Sequence, residues 1–142
     1  MSITPNRDQF VDYANSDLDG EVVMLNLLKF KERSDDGDGS GRDAYGRYGD
    51  AAIAMIEEQG GHIVWSGRAR HVFIGDPSAD DWDVVLLVSY PSRQAFLDMV
   101  STPSYNEAHA HREAGLERTL VLACSPGTGS GAPELPGGAA GS

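Results

Sequence analysis

The chain has 142 residues, enough for one domain with its own hydrophobic core. Its 11 Lys and Arg stand against 22 Asp and Glu, and this net charge of −11 repels nucleic acid and anionic membranes. The single cysteine, Cys124, cannot form an internal disulfide, and the N-terminal sequence lacks the apolar core of a signal peptide. No apolar run reaches the ~20 residues that span a bilayer. We therefore expect a soluble cytoplasmic protein that binds neither nucleic acid nor membrane.

The first half of the chain predicts a helix, a strand and a second helix. Thr4 and Pro5 are typical of an N-cap followed by a first-turn proline, and this first helix ends before SDLDG. The next segment, EVVMLNLLKF, has apolar residues on both alternating faces, which predicts a strand covered on both sides. After a Gly/Asp/Ser loop, apolar residues at helical spacing predict a helix over residues 43–59 that Gly60 and Gly61 terminate.

The second half predicts two strands, two helical pieces and a last strand. HIVWSGRARHVFIG predicts a long strand with a bend at Gly67, and DPSADD turns the chain into the strand WDVVLLVSY. Ser92 and the Thr102-Pro103 pair are helix-start signals, and RTLVLACS predicts the final strand. Segment 126–142 is rich in Gly, Pro, Ala and Ser and is predicted to be a disordered tail. Residues 1–125 would then form a single domain.

The order of these elements predicts the architecture. After the first helix it is β-α-β-β-α-β, which is typical of an α+β ferredoxin-like sandwich with an antiparallel sheet and helices on one face. In the first strand Met24 and Leu28 share one face with Asn26, while Leu25 and Leu27 lie on the other, so large aliphatic residues occupy both faces. A single chain would leave one apolar face open, which soluble monomers rarely tolerate. The sequence therefore predicts a homodimer joined sheet to sheet about a two-fold axis.

Several spaced segments together resemble a known family. They are VVMLNLLKFK, the helix with Tyr45 and Tyr48, Gly60-Gly61, WD, YPSRQAF, PSY and HREAGLERT. They are similar to the family called domain of unknown function 1330, within the dimeric α+β barrel superfamily, over residues 1–125. The resemblance implies a ferredoxin-like fold that forms a dimeric α+β barrel. The superfamily includes cofactor-free monooxygenases, haem-degrading oxygenases, isomerases and lyases of small hydrophobic molecules, and fold alone does not decide among them.

The helix after Pro103 carries the candidate catalytic groups. Tyr105, His109 and Arg112 fall on one stripe because offsets of four and seven residues share a helix face. If that stripe faces the sheet, His109 is the acid/base and Arg112 the anion anchor. The alternative is that Arg112 pairs with a carboxylate such as Asp83 and His109 is a half-buried hydrogen-bonding residue. His109 and His111 point to opposing faces, so no zinc or other metal site is expected.

Further candidates come from polar or aromatic residues within apolar segments. Asn26 is either an oxyanion donor or a structural hydrogen-bonding residue. An acidic loop beginning at Asp36 resembles a calcium loop, but Arg47 stands where a bidentate Glu is needed, which favours a solvated loop. The predicted substrate-binding residues, whose alternative role is packing, are Tyr45, Tyr48, Trp65, Trp82, Asp83, Tyr90 and Tyr105.

Three functional hypotheses follow from these residues. The first is a small enzyme with no cofactor that moves protons on a small hydrophobic carbonyl or phenolic molecule, as an isomerase, cyclase, lyase or cofactor-free monooxygenase. The second is haem binding and degradation, because an Asn on the first strand, a Trp and a helix His resemble the site of haem-degrading relatives. The third is a non-enzymatic small-molecule-binding domain, which would have a small or filled cavity.

Overall fold

A computed structural model describes residues 4–126 of the chain. Its elements are α1 (Arg7–Ala14), β1 (Val22–Phe30), α2 (Gly41–Glu58), β2 (His62–Arg68), β3 (Val84–Tyr90), α3 (Arg93–Val100), α4 (Pro103–Gly115) and β4 (Leu116–Cys124). The four strands form one antiparallel sheet in the order β2-β3-β1-β4. This confirms the predicted α+β ferredoxin-like order with an additional N-terminal helix, and the sheet of one chain is open at β2 and β4. Residues 127–142 of the predicted tail lie outside the described residues.

Polar side chains fix where the helices begin. The first helix is capped by Asn6 rather than by Thr4, because Asn6 Oδ1 accepts from Gln9 N (2.8 Å) and Gln9 Oε1 accepts from Asn6 N (3.0 Å). This reciprocal capping box satisfies two backbone donors at once. Ser92 and Thr102 cap α3 and α4 as predicted. Within residues 4–126 no helix is both long and apolar enough to cross a membrane.

The predicted long strand after Gly61 is shorter than expected. β2 ends at Arg68, which pairs with Val84, the first residue of β3. Residues 69–83 form a loop instead. To extend β2 they would have to pair with residues that precede β3, and those residues are themselves part of this loop. At the end of this loop, Asp83 N donates to Leu28 O (2.7 Å), which joins the loop to β1.

The two faces of the sheet have different environments. The face that includes Met24, Leu28 and Val88 is buried under the helices and supplies strand residues to the core. On the other face Leu25 lies between Leu87 of β3 and Leu122 of β4. We call this second side the uncovered face; its aliphatic residues are Val23, Leu25, Leu27, Val85, Leu87, Leu120 and Leu122. None of them belongs to the core cluster among the described residues.

A close crossing of α2 and α4 positions one end of the helical layer. Lys31 N donates to Gly115 O (2.8 Å), and Gly41 N donates to Lys31 O (3.0 Å). A Cβ on Gly41 would lie 2.5 Å from Gly115 O, so the two helices approach too closely for a side chain there. The first turn of α2 and the last turn of α4 therefore meet, and Tyr45 and Arg112 lie near this crossing.

Candidate ligand cavity

A cavity of about 370 Å³ lies between the helix-covered face of the sheet and helices α2, α3 and α4. Its size is within the range of roughly 300–1,000 Å³ found for small-molecule sites. β1 and β3 form the floor through residues that alternate toward the helices, which are Met24, Asn26, Leu28, Phe30, Val84, Leu86, Val88 and Tyr90. Most of the lining is apolar, which suits a largely hydrophobic molecule.

The two ends of the cavity differ in polarity. Phe30 and Arg42 meet at one end, where the guanidinium carbon of Arg42 lies 4.7 Å from the centre of the Phe30 ring. The Tyr45 ring lies 5.5 Å from the Phe30 ring, centre to centre, and the positive charge of Arg112 acts to lower the pKa of the Tyr45 hydroxyl. The other end contains Met24, Val88, Met99, Phe96 and Ile56. Among the described residues, those that line the cavity include no Asp, Glu or His, although the whole chain carries a net charge of −11.

Arg112 is the buried cation of the cavity, with only 8% of its surface exposed. Its position on α4 follows from the stripe that it shares with Tyr105, which also lines the cavity. A guanidinium group keeps its charge even when it is buried, so the site presents a fixed positive charge in an apolar environment. Such a group favours a carboxylate, phenolate or enolate oxygen over a neutral one.

The tyrosines supply neutral hydroxyl groups. Tyr48 Oη and Tyr105 Oη are 3.2 Å apart and share a hydrogen bond. Burial raises the pKa of Tyr45 to about 12 and raises the pKa of Tyr48 well above its usual value. Burial also raises the pKa of Tyr90. At neutral pH these side chains are therefore protonated. The Tyr90 hydroxyl donates to Met99 Sδ (4.0 Å), so Tyr45 and one hydroxyl of the Tyr48–Tyr105 pair are the donors that can serve a ligand.

Asn26 lines the cavity, but its amide hydrogens are in use. Nδ2 donates to Met24 O (3.1 Å) and to Leu86 O (3.3 Å), so it ties the side chain to its own strand and to β3. The remaining hydrogen-bonding atom of the side chain is the acceptor Oδ1. This geometry favours the structural alternative for Asn26 and opposes its predicted role as an oxyanion donor.

His109 lies beside the cavity and not in its lining. Its ring stacks on Tyr105 with a centre-to-centre distance of 5.7 Å, and Nε2 is 3.7 Å from Glu113 Oε1. Nδ1 is buried and has no hydrogen-bond partner among the described residues. Burial and, to a smaller extent, the charge of Arg112 lower the pKa of His109 despite the nearby Glu113. The imidazole is therefore neutral at pH 7, and the Tyr105 ring on which it stacks separates it from the cavity.

Three predicted substrate-binding residues lie away from the cavity. Trp65 is 54% exposed, because a register shift after Ile63 places it opposite Leu87 on the uncovered face. Trp82 packs under the guanidinium of Arg118, 4.4 Å from the ring centre. Asp83 is also a structural residue: its Oδ2 accepts from Phe30 N (2.8 Å), and its Oδ1 lies 3.6 Å from Lys29 Nζ. The structure thus does not bring a tryptophan and His109 together with Asn26 in the cavity, as the haem hypothesis requires.

Arg42, Gly46 and Gly49 also line the cavity but were not among the residues predicted from the sequence. A Cβ on either glycine would meet no atom within 4 Å, so their missing side chains leave space beside Tyr45 and Tyr48. The one signal in the sequence is the spacing of two glycines three residues apart within a helix, on the same side as two tyrosines. Arg42 lies in the first turn of α2, just after the N-cap Ser40. No pattern of apolar residues around it indicated that its side chain would line the cavity.

Comparison with protein families identifies the domain. The model of the domain of unknown function DUF1330 matches residues 39–125, which is more than half of the chain. The chain belongs to the DUF1330 family. The match begins after β1, so it does not cover the segment VVMLNLLKFK that contributed to the resemblance seen in the sequence. A comparison with curated proteins found no match.

Comparison with solved structures supports the fold. The DUF1330 chain is 33% identical to RPA0582, a protein of unknown function from Rhodopseudomonas palustris, with a TM-score of 0.83 over 89% of this chain and 98% of that one. A Mesorhizobium loti dabb family protein with a ferredoxin-like fold is 14% identical, with a TM-score of 0.52 over 75% and 97% of the two chains. A Caulobacter crescentus protein, assigned as a candidate antibiotic biosynthesis monooxygenase, is 13% identical, with a TM-score of 0.51 over 75% and 89%. The last two similarities show the fold alone.

Proposed function

We propose that this DUF1330 protein is an enzyme without a redox cofactor that acts on a small, largely apolar carbonyl or phenolic compound and stabilises a negative charge on its oxygen. The observation that carries the proposal is Arg112, which is 8% exposed in a cavity whose described lining has no acidic residue. An isomerase, lyase, cyclase or cofactor-free oxygenase that begins by removing a proton from such a compound forms this anion, and a fixed positive charge stabilises it.

The cavity favours ionisation of a bound molecule through its charge and its hydrogen bonds. Arg112 supplies a permanent positive charge in an environment that water screens poorly, so it lowers the pKa of an acidic group beside it. Tyr45 and Tyr48 stay protonated at neutral pH. The Tyr45 hydroxyl, and that of Tyr48 when Tyr105 is the donor of the bond they share, can therefore donate to a ligand oxygen without adding a competing charge. In this arrangement the protein binds the conjugate base of its substrate more tightly than the neutral acid, which is the condition for catalysis of proton removal.

His109 is the proposed proton acceptor of this reaction. Its lowered pKa keeps the imidazole neutral and able to accept a proton at pH 7. Because it is stacked on Tyr105, it has to leave that stack or act through a bridging water to reach the ligand. The buried Nδ1, which has no hydrogen-bond partner among the described residues, is the atom that such a water would contact.

A chromophoric phenol tests the electrostatic part of the proposal. The phenolate of 4-nitrophenol absorbs at a longer wavelength than the neutral phenol, so spectra recorded below its own pKa report ionisation caused by binding. We expect the protein to increase the phenolate band and Arg112→Gln to abolish the increase. Arg112→Lys keeps the charge and should retain part of the effect, while Arg33→Gln, at an exposed position outside the cavity, should behave as wild type. An unchanged spectrum with demonstrated binding would contradict the proposal.

Non-enzymatic binding is the second candidate, and the absence of His109 from the described lining favours it. Deuterium exchange separates the two functions. A set of small enolisable keto acids is incubated with protein in D₂O, and exchange of the hydrogens on the carbon next to the ketone is followed by proton NMR. Exchange that depends on both Arg112 and His109 supports the enzyme. Saturable binding of the same compounds with no exchange supports a carrier or sensor.

We also infer that two copies associate through the uncovered face to give the dimeric barrel. Leu120 and Leu122 are 42% and 47% exposed in the single chain, and the aliphatic residues beside them on β1 and β3 extend the same surface. Apolar patches of this kind are uncommon on soluble monomers, and an isologous contact is the simplest way to cover one. The cytoplasmic location stays a prediction from composition.

A further inference from the structure

The loop between β2 and β3 carries the most exposed large apolar residues of the described chain. Phe73 and Ile74 are each 88% exposed, whereas the other exposed large apolar residues in residues 4–126 lie between 39% and 54%. We call residues 69–83 the arm and Phe73-Ile74 its tip. Exposure of two adjacent large apolar side chains to water is unfavourable, and their burial in a contact with another molecule would lower the free energy.

Local hydrogen bonds form a turn in the residues that follow the tip. Asp76 N donates to Asp80 Oδ2 (2.9 Å), and Asp80 N donates to Asp76 O (2.7 Å). Ser78 N donates to Asp76 Oδ1 (2.9 Å) in the same turn. Gly75 has φ of 142°, and a Cβ there would lie 2.8 Å from Asp80 Oδ2. The arm therefore has a defined turn directly after its apolar tip.

The arm is fastened to the side of the sheet that carries the uncovered face. Asp81 forms ion pairs with Arg118 and with Lys29, whose Nζ lies 3.2 Å from Asp81 Oδ2. Arg118 also packs on Trp82 and donates to Ala79 O (2.9 Å). Lys29 and Arg118 are opposite each other on β1 and β4 and alternate onto the same face as Leu27 and Leu120. A molecule that covers that face would therefore meet the arm at its edge.

We propose that the arm contacts the second copy of the chain and that its tip is buried there. This rests on the proposed dimer and adds a specific attachment outside the sheet face. Basic residues precede the tip at Arg68 and Arg70, and acidic residues follow it at Asp76 and Asp80. A two-fold axis that places two arms antiparallel brings these opposite charges together. The net charge of −11 opposes an anionic membrane as the surface that receives the tip.

Photochemical cross-linking tests the contact directly in the full chain. A benzophenone amino acid replaces Phe73, and the same group at Phe10 serves as the control, because Phe10 is an exposed residue of α1 on the helix-covered side. Ultraviolet light should convert the position 73 protein into a covalent dimer and leave the position 10 protein as a single chain. Mapping of the cross-link by mass spectrometry identifies the segment that receives the tip.

Substitution of the tip measures its contribution to association. In sedimentation equilibrium, Phe73→Ser with Ile74→Ser should raise the dimer Kd by about a hundredfold, the effect of losing a buried apolar anchor. Phe10→Ser with Val11→Ser alters an equally adjacent pair with 42% and 40% exposure and should leave the Kd unchanged. Both variants should keep the wild-type circular dichroism, since neither pair belongs to the core cluster of the described residues.

The outcomes distinguish failure of the proposed arm contact from failure of the proposed sheet-to-sheet dimer. A wild-type protein that sediments as one chain at micromolar concentration overturns both. A wild-type dimer whose Kd is unaffected by the tip substitutions, with no cross-link from position 73, overturns the arm and leaves the sheet-to-sheet dimer in place. Tip-dependent sedimentation with vesicles of phosphatidylcholine and phosphatidylserine, in place of tip-dependent dimerisation, also overturns the proposal.

Discussion

At the scale of single residues, His109 links the environment of the cavity to pH. Burial and Arg112 lower the pKa of His109 below its value in the unfolded chain. Its contribution to stability is therefore present above the unfolded pKa of about 6.5 and is lost as the pH falls toward the folded pKa. The cause is that, between the two pKa values, the His109 imidazole binds a proton in the unfolded state but not in the folded state.

We predict that His109→Gln weakens the loss of stability between pH 7.5 and pH 5. Urea unfolding at these two pH values gives the free energy of unfolding of each variant, and the difference should be smaller for His109→Gln than for wild type. His62→Gln, which removes an exposed histidine from β2, controls for the loss of any histidine. Equal differences for wild type and His109→Gln would show that this imidazole does not contribute to the pH dependence.

Six of the ten site residues predicted from alternation and helical spacing line the cavity. Asn26 and Tyr90 alternate onto the helix-covered face, and Tyr45, Tyr48, Tyr105 and Arg112 lie on helix faces that spacing alone identifies. Trp65 was misplaced because a one-residue bulge moves a side chain to the opposite face, and no local signal marked it. Helical spacing does not predict ring stacking either. His109 lies on the predicted face of α4, but its ring stacks on a neighbouring side chain and does not line the cavity.

At the scale of elements, the contact between α2 and α4 determines where the cationic end of the cavity lies. Gly41 and Gly115 are buried at this crossing, and a Cβ on Gly115 would lie 3.0 Å from Tyr45 N. Neighbouring backbone atoms on both sides cannot move away as a flexible side chain can. The crossing therefore couples packing of the helices to the relative position of Tyr45 and Arg112.

We predict that Gly115→Ala lowers the free energy of unfolding by roughly 2–3 kcal/mol, because the helices must separate to admit the methyl group. Gly46→Ala and Gly49→Ala are matched controls within α2, where an added Cβ meets no atom within 4 Å. These controls should gain about 0.5–1 kcal/mol from reduced backbone entropy in a helix. Chemical unfolding measures all three, and a stable Gly115→Ala protein would contradict the close approach.

The length of β2 shows what a sequence cannot specify locally. His71, Val72, Phe73 and Ile74 have the composition of a strand, yet pairing stops where Arg68 meets Val84. A strand needs a partner, and the position of that partner depends on where the chain turns, which is a property of a distant segment. The same apolar residues thus lie exposed in the arm, where their composition points to a contact with another molecule.

At the scale of the whole molecule, the two-sided apolar strands account for both the cavity and the proposed assembly. One side of β1 carries Met24 and Leu28 into the core, while the other carries Leu25 and Leu27 onto the uncovered face. This division was predictable because alternation in a strand is strict and the helices of the fold occupy one side. Which side the helices cover was not predictable, since both are aliphatic; the structure shows that it is the side of Met24.

We predict that Leu25→Glu converts a dimer into a folded monomer, because it places a charge at the centre of the uncovered face between Leu87 and Leu122. Dimer formation makes thermal stability depend on concentration, so hundredfold dilution should lower the wild-type Tm by about 5 °C. The Tm of Leu25→Glu should not change on dilution, and light scattering should give the mass of one chain. Val11→Glu, at a 40% exposed position of α1, should keep the wild-type mass and concentration dependence. A Leu25→Glu protein that retains the mass of two chains would place the interface elsewhere on the molecule.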